Sequence, residues 1–287
     1  MEGKSSVLNR LFTQSSIKEI LYNISEFGLS DIYYSAIKRY VTDPSSKCNG
    51  EIISEIYSYI RKNYRNEYFY KNTLLNKLLI KEHNPLNTTA LTEVPIGKSK
   101  ADFILINGRA VVYEIKTALD TFERLPSQLE DYYKAFDYVA VLTDENNCDT
   151  LVKMLQNSPV GIYKLTKRDS IQPIKKPESY IDSLDLQYIF NVLNKEEFER
   201  ILLECFGYLP QTTDARYYGE CRKMFCSMEL EVAYKKFKEV LKRRNKIIVE
   251  EFSDVPYELK SAVYFSKFKK DDYIKLKYFL QKSFCER

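Results

Sequence analysis

Residues 93–116 read EVPIGKSKADFILINGRAVVYEIK. This stretch contains two apolar runs, Asp102–Ile106 and Ala110–Lys116, on either side of Asn107-Gly108. Asn-Gly between apolar runs is the strongest short-range signal for a β-hairpin, because both positions of the favoured turn need positive φ. Leu91–Ile96 adds a strand candidate before the hairpin. The stretch therefore predicts a three-stranded antiparallel meander.

Charged residues lie at the open end of this predicted hairpin. Side chains alternate between the two faces of a strand, so Glu114 and Lys116 share one face. A two-residue turn places Asp102 across from Tyr113, next to Glu114, and cross-strand neighbours lie about 5 Å apart. We therefore expect two carboxylates and an ammonium to meet at one end of the sheet.

Such a group of side chains suggests a metal site. Two neighbouring carboxylates repel each other unless a cation lies between them, and ligation by oxygen alone suits Mg²⁺ or Mn²⁺. A bound ion of this kind polarises a phosphate and lowers the pKa of a bound water. Lys116 could orient that water and offset negative charge on the phosphorane. These are the requirements of phosphodiester hydrolysis, and the alternative is a plain surface ion pair.

The rest of the chain places the meander inside a larger fold. Apolar residues recur at helical spacing before about residue 82 and after about residue 180. The predicted elements after the meander are a helix over 121–136, a strand over 138–142, a further helix, a strand over 160–165 and a linker over 171–180. This order predicts an α/β fold with an αβββαβ core, a mixed sheet and helical extensions. We divide the chain into a helical region (1–66), a core (67–168) and a second helical region (169–287).

With Asp102 on the second core strand and Glu114-Ile115-Lys116 on the third, the chain resembles the PD-(D/E)XK nuclease superfamily. Ala101 replaces the proline of the signature. The segment from Gln128 to Tyr132 (QLEDY) is similar to the QxxxY motif of the RecB-like branch. The resemblance covers roughly residues 67 to 165 and extends to an uncharacterised bacterial family within the superfamily. It implies a restriction-endonuclease-like core.

The resemblance also implies roles for individual residues. Asp102 and Glu114 would bind Mg²⁺ or Mn²⁺ with the backbone carbonyl of Ile115, and Lys116 would be the catalytic lysine. Glu93, on the preceding strand, is a possible further metal ligand.

Two further positions follow from the same resemblance. Gln128 would support the site or a phosphate, and Tyr132 would contact the scissile strand or brace its helix; both could instead be ordinary helix residues. Members of the superfamily often carry an acidic residue on the first core helix, for which Glu67 and Glu82 are candidates.

Composition and charge limit the possible partners. The formal net charge is +4, and from residue 231 to the end 15 Lys and Arg stand against 9 Asp and Glu. This basic region, including the run from Lys235 to Lys246, could attract nucleic acid, or it could be a solvated helix face. The Tyr-rich segment 57–72 could stack on bases or pack in a core.

Other residue types point to no further chemistry. The six cysteines form no CxxC pair, which predicts reduced thiols rather than a zinc or iron–sulfur site. The single histidine, His83, is expected to favour the end of a helix rather than act as a base. Neither a signal peptide nor a membrane-spanning run is visible, so we expect a cytoplasmic protein without a membrane partner.

The leading hypothesis is a Mg²⁺-dependent nuclease, with DNA as the expected substrate and a defence or mobile-element system as its context. The alternative is a non-catalytic nucleic-acid-binding or regulatory protein on the same fold. A third hypothesis is an interaction protein whose helical regions bind a protein partner.

Overall fold

The computed structural model of the protein describes residues 2–23, 31–82, 87–244 and 247–284. His83, Lys246 and Cys285, on which some of the expectations above depend, lie outside these ranges. The chain divides into two compact units. The first comprises Met1–Leu86 and Lys246–Arg287, and the second comprises Asn87–Asn245.

The helices account for most of the described chain. In order, their bounds are α1 Glu2–Leu11, α2 Gln14–Asn23, α3 Asp31–Tyr40, α4 Asn49–Asn63, α5 Glu67–Leu74, α6 Leu125–Tyr133, α7 Glu145–Leu155, α8 Leu186–Val192, α9 Lys195–Phe206, α10 Asp214–Cys226, α11 Leu230–Leu241, α12 Val249–Ser253, α13 Lys260–Phe265 and α14 Lys270–Gln281. A π-helical segment, Leu75–Glu82, continues α5. Among the described residues, no helix combines the length and apolar character that a bilayer crossing requires.

The first unit is helical and has an aromatic core. Tyr68 stacks on Phe12 with ring centroids 4.6 Å apart, and Tyr57 meets both rings edge-on. The Tyr68 hydroxyl donates to the backbone carbonyl of Glu258. Tyr57 and Tyr70 are buried, and Tyr68 is half-buried. These tyrosines of the Tyr-rich segment are therefore core residues, as the second of the two interpretations expected.

The second unit contains a six-stranded mixed sheet. Its strands are β1 Thr89–Ile96, β2 Ser99–Asn107, β3 Arg109–Lys116, β4 Tyr138–Asp144, β5 Gly161–Leu165 and β6 Ile171–Lys175, adjacent in that order. The first three strands are antiparallel, β3, β4 and β5 are parallel, and β6 is antiparallel to β5. Helices α6 and α7 make the crossovers that parallel neighbours require. The predicted α/β class and the meander are confirmed.

The expected linker is wrong where β6 forms. Its sequence, IQPIK, contains Pro173, which cannot donate to a ladder and so weakens a strand pattern. A proline is tolerated at the edge of a sheet, and β6 is the edge strand next to β5. Residues 171–175 form a strand because they pair with β5, and the local sequence pattern does not reveal that pairing.

The hairpin register differs by one residue from the expected one. Asn107 pairs with Arg109 and Phe103 with Tyr113, so Gly108 alone separates the paired residues, with φ of 72°. Continuing this register by one residue places Asp102 across from Glu114 rather than Tyr113. Residues directly opposite in an antiparallel pair share a face. Asp102 therefore belongs to the same face as Glu114.

That face packs against the helices of the second unit. Ile104, Val112 and Val141 belong to one buried apolar cluster with side chains of α6, α7 and the four helices α8 to α11. Residues 186–241 therefore pack with the sheet rather than forming a separate region. The division into two units thus differs from the three segments expected from the sequence, and the segment 67–82 falls in the first unit.

Candidate active site

Four side chains from β3 and α6 form one hydrogen-bond network, of which three are buried and Gln128 is half-buried. Lys116 Nζ donates to Glu114 Oε1 and to Gln128 Oε1, each at 2.9 Å. The Tyr132 hydroxyl donates to Glu114 Oε2 at 2.6 Å. Glu114 is only 2% exposed and Lys116 only 7%. The Glu114–Lys116 pair is therefore buried rather than a surface ion pair, and Gln128 and Tyr132, one helical turn apart, both contact it.

Tyr132 acts in this network as a donor. Its oxygen also lies 2.9 Å from the backbone carbonyl of Lys100, and its single proton goes to one acceptor at a time. Burial, then the charge of Glu114 and the hydrogen bond to it, and then the charge of Asp102, raise the pKa of Tyr132 far above its ordinary value. The phenol therefore keeps its proton near neutral pH.

Asp102 holds the end of β3 in place. Its Oδ2 accepts a hydrogen bond from the Ile115 backbone N–H at 2.8 Å, just beyond the last β2–β3 pair. In an antiparallel ladder the N–H and C=O of one residue point to the same neighbouring strand. The Ile115 carbonyl is therefore directed to the same side as its N–H, where Asp102 lies.

Glu93 interrupts β1 close to Asp102. The β1–β2 ladder pairs Thr92 with Phe103 and Val94 with Ala101, and Glu93 between them has φ of 55°. Such a conformation costs a non-glycine residue roughly 1–3 kcal/mol and often marks a functional position. Carboxylate oxygens of Glu93 and Asp102 lie within 4.8 Å of each other. Lys100 Nζ pairs with Glu93 at 3.5 Å.

Two of these residues offer neighbouring oxygen donors to a divalent cation. Asp102 and Glu93 supply carboxylate oxygens within reach of one ion, and the Ile115 carbonyl is directed to the Asp102 side of β3. Glu114 is not among the described carboxylates whose oxygens lie within 4.8 Å of one another, and its two oxygens accept hydrogen bonds from Lys116 and Tyr132. Within this unit, Asp102 and Glu93 are therefore the residues that could hold a divalent cation.

Asp131 joins α6 to the β1–β2 turn and was missed in the sequence analysis. Its Oδ2 accepts from the Lys98 backbone N–H at 3.0 Å and from Ser99 Oγ at 2.7 Å. Gly97 has φ of 60°, and a Cβ there would lie 2.6 Å from Asp131 Oδ1. Asp131 is adjacent to Tyr132 within QLEDY, but its partners lie about thirty positions away in the chain, where no local pattern indicates them.

The loop after Lys116 is also held by polar contacts that the sequence analysis did not identify. Asp120 Oδ2 accepts from both the backbone N–H and the Oγ1 of Thr117 at 2.7 Å. Thr143 Oγ1, on β4, donates to the Lys116 carbonyl at 2.9 Å. These contacts fix the backbone on the C-terminal side of the catalytic candidate.

The other acidic candidates and the basic run are placed as follows. Glu67, on α5, and Glu82, at the end of the π-helical segment, belong to the first unit. Arg244 forms a bidentate pair with Glu197, and Lys236 pairs with Glu204 at 2.7 Å. Part of the basic run therefore stabilises the fold, whereas Lys235, Lys242 and Arg243 remain exposed.

Comparisons with other proteins give the chain a family. The family model described as "Bacteriophage P4 protein cII" matches residues 60–267. No curated protein matches the chain. A solved structure described as "SPO1766 protein of unknown function from Silicibacter pomeroyi" aligns with 11% identity over 57% of this chain and 86% of its own, with a TM-score of 0.27, too low to support any argument. Because the family model matches more than half of its residues, this protein belongs to the Bacteriophage P4 protein cII family.

Proposed function

We propose that the protein is a metal-dependent nuclease of the PD-(D/E)XK type that hydrolyses phosphodiester bonds in DNA. One observation carries the proposal. Lys116, Glu114, Gln128 and Tyr132 join in one network at the end of β3, on the sheet face to which Asp102 belongs. These are the positions to which the resemblance gives catalytic and supporting roles.

We assign each residue a role from its contacts. Asp102, Glu114, the Ile115 carbonyl and Glu93 would hold Mg²⁺ or Mn²⁺, which when bound polarises a phosphate and lowers the pKa of a water. Gln128 and Glu114 hold the Lys116 ammonium in one position, where it can offset negative charge that develops on the phosphate. Tyr132 orients the Glu114 carboxylate by donating to it.

The direct test is cleavage by the purified chain. Labelled single- and double-stranded DNA and RNA are incubated with Mg²⁺, Mn²⁺ or EDTA. We expect metal-dependent cleavage of DNA that falls by a factor of about 10²–10³ in Lys116→Met and Glu114→Gln, because each removes a charged group from the site. Asp102→Asn, at a half-buried position, is a third variant.

Matched controls separate the site from the rest of the surface. Lys98→Met and Glu130→Gln make the same chemical changes at exposed positions of the same unit and should leave cleavage unchanged. Circular dichroism checks that each variant is folded. Cleavage that survives all three site variants would point to a contaminant and refute the proposal.

A specific observation favours a second candidate function, a non-catalytic nucleic-acid-binding or regulatory protein. Glu114 is almost fully buried, and both of its oxygens already accept hydrogen bonds from Lys116 and Tyr132. A buried polar network whose members are all hydrogen-bonded can have a purely structural role, in which it makes the fold rigid and specific. DNA binding in EDTA without turnover in any metal would select this candidate.

The family supports the expected biological context. Its description names a bacteriophage protein, and a phage is a mobile genetic element. We therefore propose that the nuclease acts within such an element. Purification of the tagged chain from its host would show whether a protein partner accompanies it.

A further inference from the structure

Helix α14, in the first unit, presents an unusual outer face. Its inner side buries Tyr273, Leu276 and Phe279. On its outer side two large apolar side chains are exposed one turn apart, Ile274 at 59% and Tyr278 at 66%. We call the surface around them the α14 outer face, defined by Lys270, Ile274, Lys275, Lys277, Tyr278 and Lys282.

The lysines of this face stand on both sides of the apolar pair. At 100° per residue, Lys270 and Lys277 fall on one side of Ile274 and Tyr278, and Lys275 and Lys282 fall on the other. By the same rule Asp271 also lies on this face, between Tyr278 and Lys282, and it is the one acidic residue among the exposed positions of the described helix. Asp272 is buried and accepts a hydrogen bond from the Lys269 backbone N–H. Four lysines thus stand against one carboxylate. The outer face therefore has a net positive charge.

These lysines make few side-chain contacts within the first unit. Lys270, Lys277 and Lys282 form no ion pair with any residue in the described part of the chain. Lys275 lies over the ring of Tyr22, with Nζ 3.9 Å from the ring centroid. This differs from the basic run on α11, where Lys236 and Arg244 are engaged by carboxylates. Three ammonium groups are thus available to an external anion.

The turn before α14 adds another exposed lysine. Lys267 has φ of 52°, a left-handed conformation that is rarely adopted by residues other than glycine. Between Lys267 and the start of α14, Phe268 is buried and packs edge-on against Tyr273, with centroids 5.5 Å apart. The packing of Phe268 fixes this turn and so keeps Lys267 beside the first turn of the helix.

From this arrangement we infer that the α14 outer face binds single-stranded nucleic acid, with Tyr278 and Ile274 against the bases and the flanking lysines on the phosphates. Base stacking on exposed aromatic rings, combined with a positive surface that follows the backbone, is the general chemistry of single-strand binding. The inference depends on the proposed function only in the choice of nucleic acid as ligand, and it assigns a binding surface that cleavage chemistry does not require.

Charge and composition favour this ligand over two others. An acidic protein segment would satisfy the lysines but would give an exposed tyrosine no special role. An anionic membrane surface usually engages a larger apolar face than one isoleucine and one tyrosine. A single strand offers phosphates and flat apolar bases together, which matches lysines on either side of an aromatic ring.

The test is binding of fluorescein-labelled oligothymidylate by the full chain in EDTA, so that no cleavage occurs; an oligomer of about 20 nucleotides exceeds the usual footprint of one site. We expect Tyr278→Ala to weaken binding about tenfold, and Tyr278→Phe, which keeps the ring, to bind like the wild type. The combined Lys270→Gln, Lys277→Gln and Lys282→Gln variant should also bind more weakly. Its salt dependence, log K against log [salt], should be less steep by about 0.7 for each phosphate that is no longer neutralised.

A control variant carries the same charge change elsewhere. Lys153→Gln, Lys195→Gln and Lys223→Gln together alter three exposed lysines of the second unit and should leave affinity within about twofold, because they remove only long-range attraction that salt screens. All substituted side chains are exposed, so the variants should melt like the wild type. Equal weakening in the two triple variants, or full affinity in Tyr278→Ala, would overturn the inference.

Vesicle binding tests the competing ligand, an anionic membrane surface. Vesicles containing anionic phospholipid should not bind the wild type more tightly than neutral vesicles; vesicle binding that the α14 triple variant abolishes, without oligonucleotide binding, would reassign the face to a membrane surface. Failure of the proposed nuclease is a different result, namely no cleavage in any metal while binding in EDTA persists.

Discussion

Lys116 Nζ lies 2.9 Å from Glu114 Oε1 in a place from which water is nearly excluded. The two residues are two positions apart on β3, so their side chains leave the same face of one strand. Removing one member of a buried pair leaves an uncompensated charge, which costs more than the intact pair contributes. The pair must therefore be treated as one unit in any mutational study.

We expect Lys116→Met to lower the free energy of unfolding by about 3–5 kcal/mol, because it leaves the Glu114 carboxylate buried without its cation. The double variant Glu114→Gln, Lys116→Met removes both charges and should be destabilised by less than the sum of the single variants. Denaturant unfolding of the three proteins measures this coupling. Strict additivity would show that the two side chains do not interact.

Adjacent tyrosines on α6 provide a matched comparison. Tyr132→Phe removes the hydroxyl that donates to Glu114 and should cost about 1–3 kcal/mol, since a buried charged acceptor loses a partner. The Tyr133 hydroxyl is buried without a hydrogen-bond partner in the described structure, so Tyr133→Phe should be neutral or stabilising. The denaturant midpoints of unfolding of the two variants, each compared with that of the wild type, measure these effects. Equal effects would contradict the assigned hydrogen bond.

The Asp131 contact with the β1–β2 turn should be visible in hydrogen exchange. Asp131→Ala removes the acceptor of the Lys98 N–H, whose exchange should become faster, and it should cost about 1–3 kcal/mol. Gly97→Ala combines positive φ with a close approach to Asp131 and should destabilise by more than about 1 kcal/mol. Glu130→Gln, exposed on the same helix, is the control, with an expected change within about 0.5 kcal/mol.

Stability should fall at alkaline pH in a way that depends on Tyr234. Burial first, and then the charge of Asp137 and the hydrogen bond to it, raise the pKa of Tyr234 far above 10.0. Above pH 10 the unfolded chain loses the phenolic proton while the folded chain keeps it, so the free energy of unfolding decreases as pH rises. In Tyr234→Phe this decrease should be shallower, by a difference that approaches one proton only at the upper end of the range, as measured by unfolding at pH 9, 10 and 11. An unchanged slope would contradict the raised pKa.

Much of the second unit could be predicted from local sequence because the relevant signals have short range. Asn107-Gly108 between apolar runs located the hairpin, and the period of two on β3 put Glu114 and Lys116 on one face whatever the register. Gln128 and Tyr132 lie one turn apart on α6, so their side chains share one side of the helix. In each of these cases the deciding geometry involves residues within a few positions of one another.

What the tertiary structure decided depends on partners that are distant in the chain. The register with Gly108 alone at the turn brings Asp102 to the face of Glu114, and because the strand period is two, a slip of one residue would reverse that face. The β6 strand exists through its pairing with β5, and Asp131 acts on a turn thirty residues before it. Burial of Glu114 and Lys116 likewise arises only when α6 packs on the sheet, since no local pattern specifies which neighbours will exclude water.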